Sequence, residues 1–258
     1  MPVSAVLLAA GYATRLYPLT NDVPKALLPL GPGSESWTAA AGLAPRVILD
    51  EVCRSLTTVP GLRQSFLVTN HRFAAQFQEW QRSRQADIEV LDDGTETAET
   101  RLGAIRDLEL ARRRAAPEND VLVVGTDNLF RWPLSEFVAR AQRHGPDPSV
   151  ALWTAPSHSA ATQFGVVTQD ARDRITALTE KSPQPPSRDV ALCVYYFPAA
   201  MCGKIQEFLD EVTTADAPGY FIQWLAKRGA VYGIMMPGPW YDIGTLEAYH
   251  EVISAWNC

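Results

Sequence analysis

Two cations stand in a loop of small and hydroxylated residues near the start of the chain. Residues 3–9 form a short apolar run that fits a buried parallel strand, and this run breaks at Gly11. Small residues let backbone N–H groups approach phosphate oxygens closely. Arg15 supplies a planar fork of donors, and Lys25 supplies a mobile point charge. This spacing predicts a cradle for a polyphosphate.

The loop alone leaves a purely structural role open, because glycine-containing turns follow the first strand of many proteins that bind nothing there. The loop also contains neither G-x-x-x-x-G-K-S/T nor G-x-G-x-x-G, the two common phosphate-binding patterns. The interpretation as a cradle therefore depends on the rest of the chain.

Two later apolar runs also end in polar residues. The run at residues 88–91 opens into an acidic loop that begins with Asp92 and Asp93, and the run at residues 121–124 leads to Asp127. Strands that alternate with helices predict right-handed crossovers and a mostly parallel sheet flanked by helices. Ligands of such sheets bind outside the carboxyl ends of the strands. We therefore expect these loops to meet the cradle, although an aspartate at a strand end can also simply cap a turn.

The predicted elements continue to the end of the chain. A helix is expected to begin at Pro45, and another at Pro133. Phe73, Phe77 and Trp80 are spaced as the buried stripe of a helix. Further strands are predicted at residues 65–69, 149–154, 190–197 and 230–236, and a final helix ends at Trp256.

Five stretches in a fixed order resemble the signature of the sugar-1-phosphate nucleotidyltransferases. The first reads G-x-x-T-R-L-x-P-L-T-x-x-x-P-K from Gly11 to Lys25. It is followed by the strand that ends before Asp127, then by F-G-V-V, by Glu-Lys at residues 180–181, and by W-x-D-I-G-T. The chain departs from the family pattern at Ala13, where glycine is usual, and at Thr126 and Ser182, which are inserted within motifs.

The resemblance covers nearly the whole chain and implies a fold. It implies a Rossmann-like, mostly parallel sheet and a strand-rich second half, without an additional β-helix domain. It further implies one domain over residues 1–258, in which residues 1–150 hold the nucleotide and residues 151–258 hold the sugar phosphate.

The resemblance also implies an activity and a set of site residues. The implied reaction joins a nucleoside triphosphate and a sugar-1-phosphate into a nucleotide-sugar and pyrophosphate, with Mg²⁺ held by Asp127 and Asp242. The residues expected to act in catalysis are Arg15, Lys25, Asp127 and Asp242. Nucleotide contacts are expected from Leu8, Ala10, Gly11, Thr14 and Gly103, and sugar-phosphate contacts from Asn128, Gly165, Glu180 and Lys181.

The acidic loop suggests which base is bound. A carboxylate only accepts hydrogen bonds, so Asp92 and Asp93 would favour guanine, whose pairing edge presents two adjacent donors, over thymine. The alternative is that both aspartates face water and only backbone atoms read the base. In that case dTTP remains the main competitor of GTP.

Composition excludes several classes of protein. A net charge of −6 over 258 residues argues against a basic surface for nucleic acid or an anionic membrane. No apolar run reaches the roughly 20 residues of a membrane span, and no basic segment begins a signal peptide. The four cysteines are scattered, as in a reduced cytoplasmic protein, and the four histidines lack the spacing of zinc ligands. We expect a cytoplasmic homo-oligomer.

Two other functions and one segment stay open. A non-catalytic sensor of nucleotide-sugars could keep the cradle, and a cytidylyltransferase acting on a phosphoryl-alcohol is a nearer alternative. Residues 31–42 read as an inserted surface loop, unless Trp37 folds over the active site or onto another subunit.

Overall fold

The computed structural model describes residues 1–31, 45–212 and 217–256. Apart from Gly31, the predicted inserted loop with Trp37 lies outside these ranges. The strands are β1 (Val3–Leu8), β2 (Leu62–Thr69), β3 (Glu89–Asp92), β4 (Asp120–Gly125), β5 (Asn128–Phe130), β6 (Ser149–Thr154), β7 (Gly165–Gln169), β8 (Ile175–Glu180), β9 (Asp189–Phe197), β10 (Tyr232–Met235) and β11 (Trp240–Asp242). The helices are α1 (Ile48–Leu56), α2 (His71–Arg84), α3 (Ala104–Arg112), α4 (Leu134–Ala141), α5 (His158–Ala161), α6 (Gly203–Glu211), α7 (Pro218–Ala226) and α8 (Leu246–Trp256).

A nine-stranded sheet forms the centre of the molecule. Its main path runs β10-β6-β9-β4-β1-β2-β3, and the β7–β8 hairpin joins it through β9. β1 pairs in parallel with β2 and β4, β2 with β3, and β6 with β10, whereas β9 runs antiparallel to both of its neighbours on this path. The predicted mostly parallel α/β fold is therefore confirmed, and the described residues contain no β-helix.

The central strands are apolar on both faces, because helices cover both faces of the sheet. Along β1, Leu7 belongs to a buried cluster that includes Phe77 of α2, whereas Val6 belongs to a second cluster that includes Ile105 of α3. Every residue of β4 is buried. This burial fixes the register of the strands, so the carboxyl ends of β1 and β4 lie side by side, with Leu8 opposite Gly125.

A second, two-stranded sheet was not predicted. It consists of β5 and β11, which pair in antiparallel register with Asp242 opposite Asn128. Each strand has only three residues, too few to show a period-two pattern.

Most element boundaries lie within a few residues of those predicted. The helix expected at Pro45 begins at Ile48, the one expected at Pro133 begins at Leu134, and the final helix ends at Trp256. Phe73, Phe77 and Trp80 are buried, as the stripe on α2 predicted. None of the described helices is long and apolar enough to cross a membrane.

Candidate active site

Side chains of two neighbouring segments donate hydrogen bonds to the backbone of the loop after β1 and fix its conformation. The Asn70 side chain donates to the backbone oxygen of Ala10 at 3.0 Å and also caps α2. Thr20 Oγ1 donates to the backbone oxygen of Ala13 at 2.9 Å. Ala13 itself adopts a left-handed conformation (φ 49°, ψ 38°), which is the conformation that glycine adopts without strain. A 3₁₀ turn, Thr14–Leu16, then presents Arg15 at the surface of the loop.

Lys25 and Asp127 form an ion pair at the carboxyl end of β4. Lys25 Nζ lies 2.7 Å from Asp127 Oδ2, and the Asn128 amide donates to Asp127 Oδ1 at 2.7 Å. Burial raises the pKa of Asp127, but the charge and hydrogen bond of Lys25 outweigh it, so the pKa lies below its usual range. Asp127 is therefore ionised at neutral pH.

The small β5–β11 sheet brings Asp242 to Asp127. The Trp240 indole N–H donates to Asn128 Oδ1 at 2.8 Å, and the backbone N–H of Ile243 donates to the backbone oxygen of Asp127 at 3.0 Å. Burial, together with the charge of Asp127, raises the pKa of Asp242 to about 6. The two carboxylates thus stand close enough to repel each other, although they lie 115 positions apart in a chain of 258 residues.

This pair of carboxylates fits a magnesium site. Mg²⁺ prefers oxygen ligands and usually takes one or two carboxylates together with phosphate oxygens and water. Within the described ranges no cluster of three or more His, Cys, Asp or Glu side chains could hold a metal. Asp127 and Asp242 therefore offer the sparse oxygen donor set that suits Mg²⁺ bound with a phosphate ligand, and they do not offer the nitrogen and sulfur ligands of a zinc site.

Two cavities meet at Asp127, and Asp242 lines the second of them. The first, of about 490 Å³, is lined by eight of the predicted residues: Leu8, Ala10, Gly11, Thr14, Arg15, Lys25, Gly103 and Asp127. The second, of about 440 Å³, is lined by Arg15, Asp127, Asn128, Gly165, Glu180, Lys181 and Asp242. Arg15 and Asp127 line both cavities, so the two cavities adjoin.

Glu180 projects into the second cavity from the end of β8. Its carboxylate fits against Gly165 and Gly219, where an added Cβ would lie 3.0 Å and 1.8 Å, respectively, from Glu180 Oε1. Burial raises the pKa of Glu180, and the neighbouring charge of Lys181 opposes this shift. The aromatic residues Tyr195 and Trp240 also line this cavity.

Asp92 and Asp93 do not line either cavity. Asp92 Oδ2 lies 2.6 Å from His71 Nδ1, and Asp92 Oδ1 accepts the backbone N–H of Gly94 at 2.8 Å. Asp93 Oδ1 accepts from both the backbone N–H and the hydroxyl of Thr95, each at 2.7 Å. Both carboxylates therefore hold the shape of the loop after β3, and their contact with a base stays a prediction.

Other residues of the cavity walls escaped the sequence analysis. Tyr12 and Asp107 line the first cavity, Tyr195 lines the second, and Cys193 and Pro218 line both. Asp107 had no signal in the sequence, because it lies off the apolar stripe of Ile105 and Leu108, and only the structure shows that it is buried.

Comparisons of sequence find relatives over almost the whole chain. Residues 4–257 match the nucleotidyl transferase family. The bifunctional protein GlmU of Methanococcus aeolicus is 26% identical over 252 residues, which cover 94% of this chain and 51% of that protein. A glucose-1-phosphate adenylyltransferase of Corynebacterium efficiens is 26% identical in an alignment 285 residues long, which covers 96% of this chain and 65% of that protein. The chain thus spans about half to two thirds of the length of these curated relatives.

Solved structures share the fold. A protein from Bacillus anthracis assigned as a glucose-1-phosphate thymidylyltransferase, in complex with a sucrose, superposes with a TM-score of 0.77 at 19% identity, covering 98% of this chain and 94% of that one. A UDP-glucose pyrophosphorylase complexed with UDP-glucose gives a TM-score of 0.77 at 18% identity, covering 99% and 98%. At such identities the likeness is one of fold.

Proposed function

The chain belongs to the nucleotidyl transferase family, and from this premise we propose that it joins a nucleoside triphosphate to a sugar-1-phosphate and releases pyrophosphate. The observation that carries the proposal is the meeting of two cavities at Asp127, with Lys25 bonded to Asp127 and with Asp242 in the wall of the second cavity. One cavity suits each substrate, and the acidic pair with its cation stands where their phosphates would meet.

The reaction is an in-line displacement at phosphorus. An oxygen of the sugar phosphate attacks the α-phosphorus, the bond between that phosphorus and the α–β bridging oxygen breaks, and pyrophosphate leaves with that oxygen. The attacking phosphate is already an anion, so the reaction needs neither a covalent enzyme intermediate nor a catalytic serine. It needs two anions held in line and the developing charge neutralised.

The cations of the site have separate tasks in this proposal. Arg15 binds the triphosphate and the departing pyrophosphate, because it lies on the exposed loop that lines both cavities. Lys25 stands beside Asp127 and neutralises charge at the α-phosphate. Lys181 binds the sugar phosphate, and Glu180 accepts hydrogen bonds from sugar hydroxyls beside Gly165.

Mg²⁺ is the metal that we assign to this site, with Asp127 and Asp242 as its protein ligands. When bound, it neutralises phosphate charge and helps to orient the two substrates. The low pKa of Asp127 supports this assignment, because a metal ligand must be ionised.

The proposed division of labour follows the two halves of the chain. Residues 1–150 hold the nucleotide, residues 151–258 hold the sugar phosphate, and Asp242 reaches back across β5 to complete the metal site. The homo-oligomer and the cytoplasmic location expected from the sequence stay predictions.

The experiment that tests the proposal measures pyrophosphate release. Purified protein is supplied with Mg²⁺, each of five nucleoside triphosphates and a panel of sugar-1-phosphates, with phosphoryl-alcohols as a separate arm. We expect release with at least one sugar-1-phosphate, its loss in EDTA, and its loss in Asp127→Asn. The variant Arg82→Ala, on the exposed side of α2, is the control and should remain active.

Three results would overturn the proposal. They are release that depends on a phosphoryl-alcohol alone, binding of a nucleotide-sugar without any release, and full activity in the presence of EDTA.

A further inference from the structure

Asn128 lies where the two segments that carry the proposed metal ligands meet. It is buried, with 3% of its surface exposed, and it follows Asp127 directly in the chain. In the antiparallel pairing of β5 with β11 it lies opposite Asp242. Beside this pair, the backbone N–H of Ile243 donates to the backbone oxygen of Asp127 at 3.0 Å. One buried amide side chain thus stands at the junction of the two metal motifs.

The partners of the Asn128 side chain leave its amide only one orientation. The Trp240 indole N–H, which can only donate, lies 2.8 Å from Asn128 Oδ1. At the other end of the amide, Asn128 Nδ2 lies 2.7 Å from Asp127 Oδ1. That oxygen belongs to the carboxylate that pairs with Lys25, and a carboxylate only accepts. Because a donor faces one end and an acceptor faces the other, the amide nitrogen of Asn128 must face Asp127.

Packing fixes the direction of the Trp240 indole N–H. Trp240 is only 8% exposed. Its ring centroid lies 5.1 Å from that of Phe164, edge-on, and 5.3 Å from that of Trp153, tilted. Rotation of the indole would also leave its N–H and the buried Oδ1 of Asn128 without each other, and buried polar groups are rarely left unpaired. The aromatic packing therefore holds the indole, and the indole holds the amide.

We propose that Asn128 positions Asp127 as a metal ligand and that Trp240 holds the Asn128 amide for this task, an inference that rests on the proposed metal site. Lys25 bonds to one oxygen of the Asp127 carboxylate and Asn128 to the other, so the whole group is held. Each oxygen keeps a further lone pair for the ion. Loss of a partner that orients a metal ligand typically costs ten- to hundredfold in metal affinity.

The test measures how much Mg²⁺ tightens the binding of a nucleoside triphosphate, which requires neither a sugar phosphate nor turnover. Isothermal titration calorimetry gives the Kd of the tightest binder among GTP, dTTP, UTP, ATP and CTP, once with Mg²⁺ and once with EDTA. We expect Mg²⁺ to tighten binding in the wild type. Asn128→Ala should weaken this effect by about ten- to hundredfold, up to its complete loss, and Trp240→Phe should weaken it in part.

Two features of this result separate positioning from general damage. The Kd in EDTA should stay unchanged in both variants, because neither Asn128 nor Trp240 lines the first cavity. Combined in one chain, the two changes should weaken the effect of Mg²⁺ no further than Asn128→Ala alone, since Trp240 acts through the amide.

Matched controls remove the same kinds of group outside the cavities. Asn119→Ala removes a buried amide that donates to Ser4, and Trp224→Phe removes a buried indole N–H that donates to Glu211. None of these four residues lines either of the two cavities. Both controls should therefore keep the full effect of Mg²⁺.

The other outcomes decide as follows. A folded Asn128→Ala that keeps the full effect of Mg²⁺, or one that raises only the KM for the sugar-1-phosphate, would overturn the inference. The second result would instead support the contact with the sugar phosphate that the sequence predicted for Asn128. If Asn128→Ala fails to fold, Trp240→Phe decides, and an unchanged effect of Mg²⁺ there overturns the inference.

If neither variant folds, NMR of the wild type decides. The indole N–H resonance of Trp240 should shift when Mg²⁺ joins the bound nucleotide, and an unmoved resonance would overturn the inference. Wild-type protein that gains nothing from Mg²⁺ would refute the metal assignment and this inference together. A normal effect of Mg²⁺ without any pyrophosphate release would refute only the proposed activity.

Discussion

Lys25 Nζ lies 2.7 Å from Asp127 Oδ2, so the lysine that ends the first motif is bonded to a carboxylate of the proposed metal site. Lys25 follows β1 in the chain and Asp127 follows β4. Both side chains are partly buried, with exposures of 17% and 32%, respectively. The bond keeps Asp127 ionised while Asp242 stands close by. One lysine thus keeps a carboxylate of the pair ionised, and in the proposed function it also neutralises charge at the α-phosphate.

We expect Lys25→Ala to lower turnover by about 10²- to 10³-fold, because it removes a positive charge aimed at charge that develops during transfer. Steady-state kinetics with the best substrate pair measure this effect. Lys204→Ala is a matched control, since Lys204 pairs with Glu207 on the exposed side of α6, and neither residue lines either cavity. A loss confined to KM would contradict a role in the transition state.

Substitution of either aspartate of the proposed metal site should abolish activity, but the two variants should differ in their free energy of unfolding. Asp127→Asn and Asp242→Asn should each abolish most turnover. Asp127→Asn leaves Lys25 without its carboxylate and should lower the free energy of unfolding by about 1 to 2 kcal/mol, a figure discounted for partial exposure. Asp242→Asn removes a partly buried charge that Asp127 repels, and it should leave that free energy unchanged or higher. Urea unfolding measures both, and a fully active Asp242→Asn would refute the metal assignment.

The sequence was informative wherever a residue followed a long, strongly apolar strand. β1 and β4 were recognisable because they are buried on both faces, and their order required the loops with Lys25 and Asp127 to meet. Proximity of Asp242 could not be derived in this way. It depends on two three-residue strands whose pairing has no periodic signal, and only the family resemblance suggested it.

The loop after β3 shows a different limit of sequence reasoning. Asp92 and Asp93 follow a strand of the parallel sheet, which made them candidates for contact with the base. Short-range hydrogen bonds from Gly94 and Thr95, together with a contact to His71 that lies 21 positions away from Asp92, take up most of their oxygens. Such Asx-type bonds form within a few residues and compete with ligand binding, and the spacing of residues does not tell which one wins.

The contact between His71 and Asp92 gives a prediction about pH. The hydrogen bond that His71 donates to Asp92, reinforced by the charge of that carboxylate, raises the pKa of His71 above the ordinary histidine value of about 6.5. The contact therefore stabilises the folded state at pH values below the ordinary pKa, and this contribution is lost as pH rises through the raised one. Proton NMR of the His71 ring should show the raised pKa, and Asp92→Asn should return it toward the ordinary value.

The control for this titration is Asp87→Asn, an exposed acid outside the loop. It should leave the His71 titration unchanged. Asp92→Asn should also leave the choice between GTP and dTTP unchanged, since Asp92 does not line the first cavity, where we propose that the nucleotide binds. A changed preference would restore Asp92 as a reader of the base.

The last prediction concerns Gly219, which lines the second cavity, the proposed site of the sugar phosphate. An added Cβ at Gly219 would lie 1.8 Å from Glu180 Oε1, so Gly219→Ala must displace the Glu180 carboxylate. That carboxylate is the end of a flexible side chain and can rotate away at little cost, and alanine is favourable within a helix such as α7. We therefore expect the free energy of unfolding to stay within about 1 kcal/mol of the wild-type value, while the KM for the sugar-1-phosphate rises.

The comparison with Glu180→Gln makes this expectation specific. If Glu180 accepts hydrogen bonds from sugar hydroxyls, Gly219→Ala and Glu180→Gln should both raise the KM for the sugar phosphate by about tenfold or more. Both variants should leave the KM for the nucleoside triphosphate unchanged, because neither residue lines the nucleotide cavity. Combined in one chain, the two changes should raise the KM little further, since each removes the same contact. Fully additive effects, or a rise in KM for the nucleotide instead, would show that Glu180 does not hold the sugar.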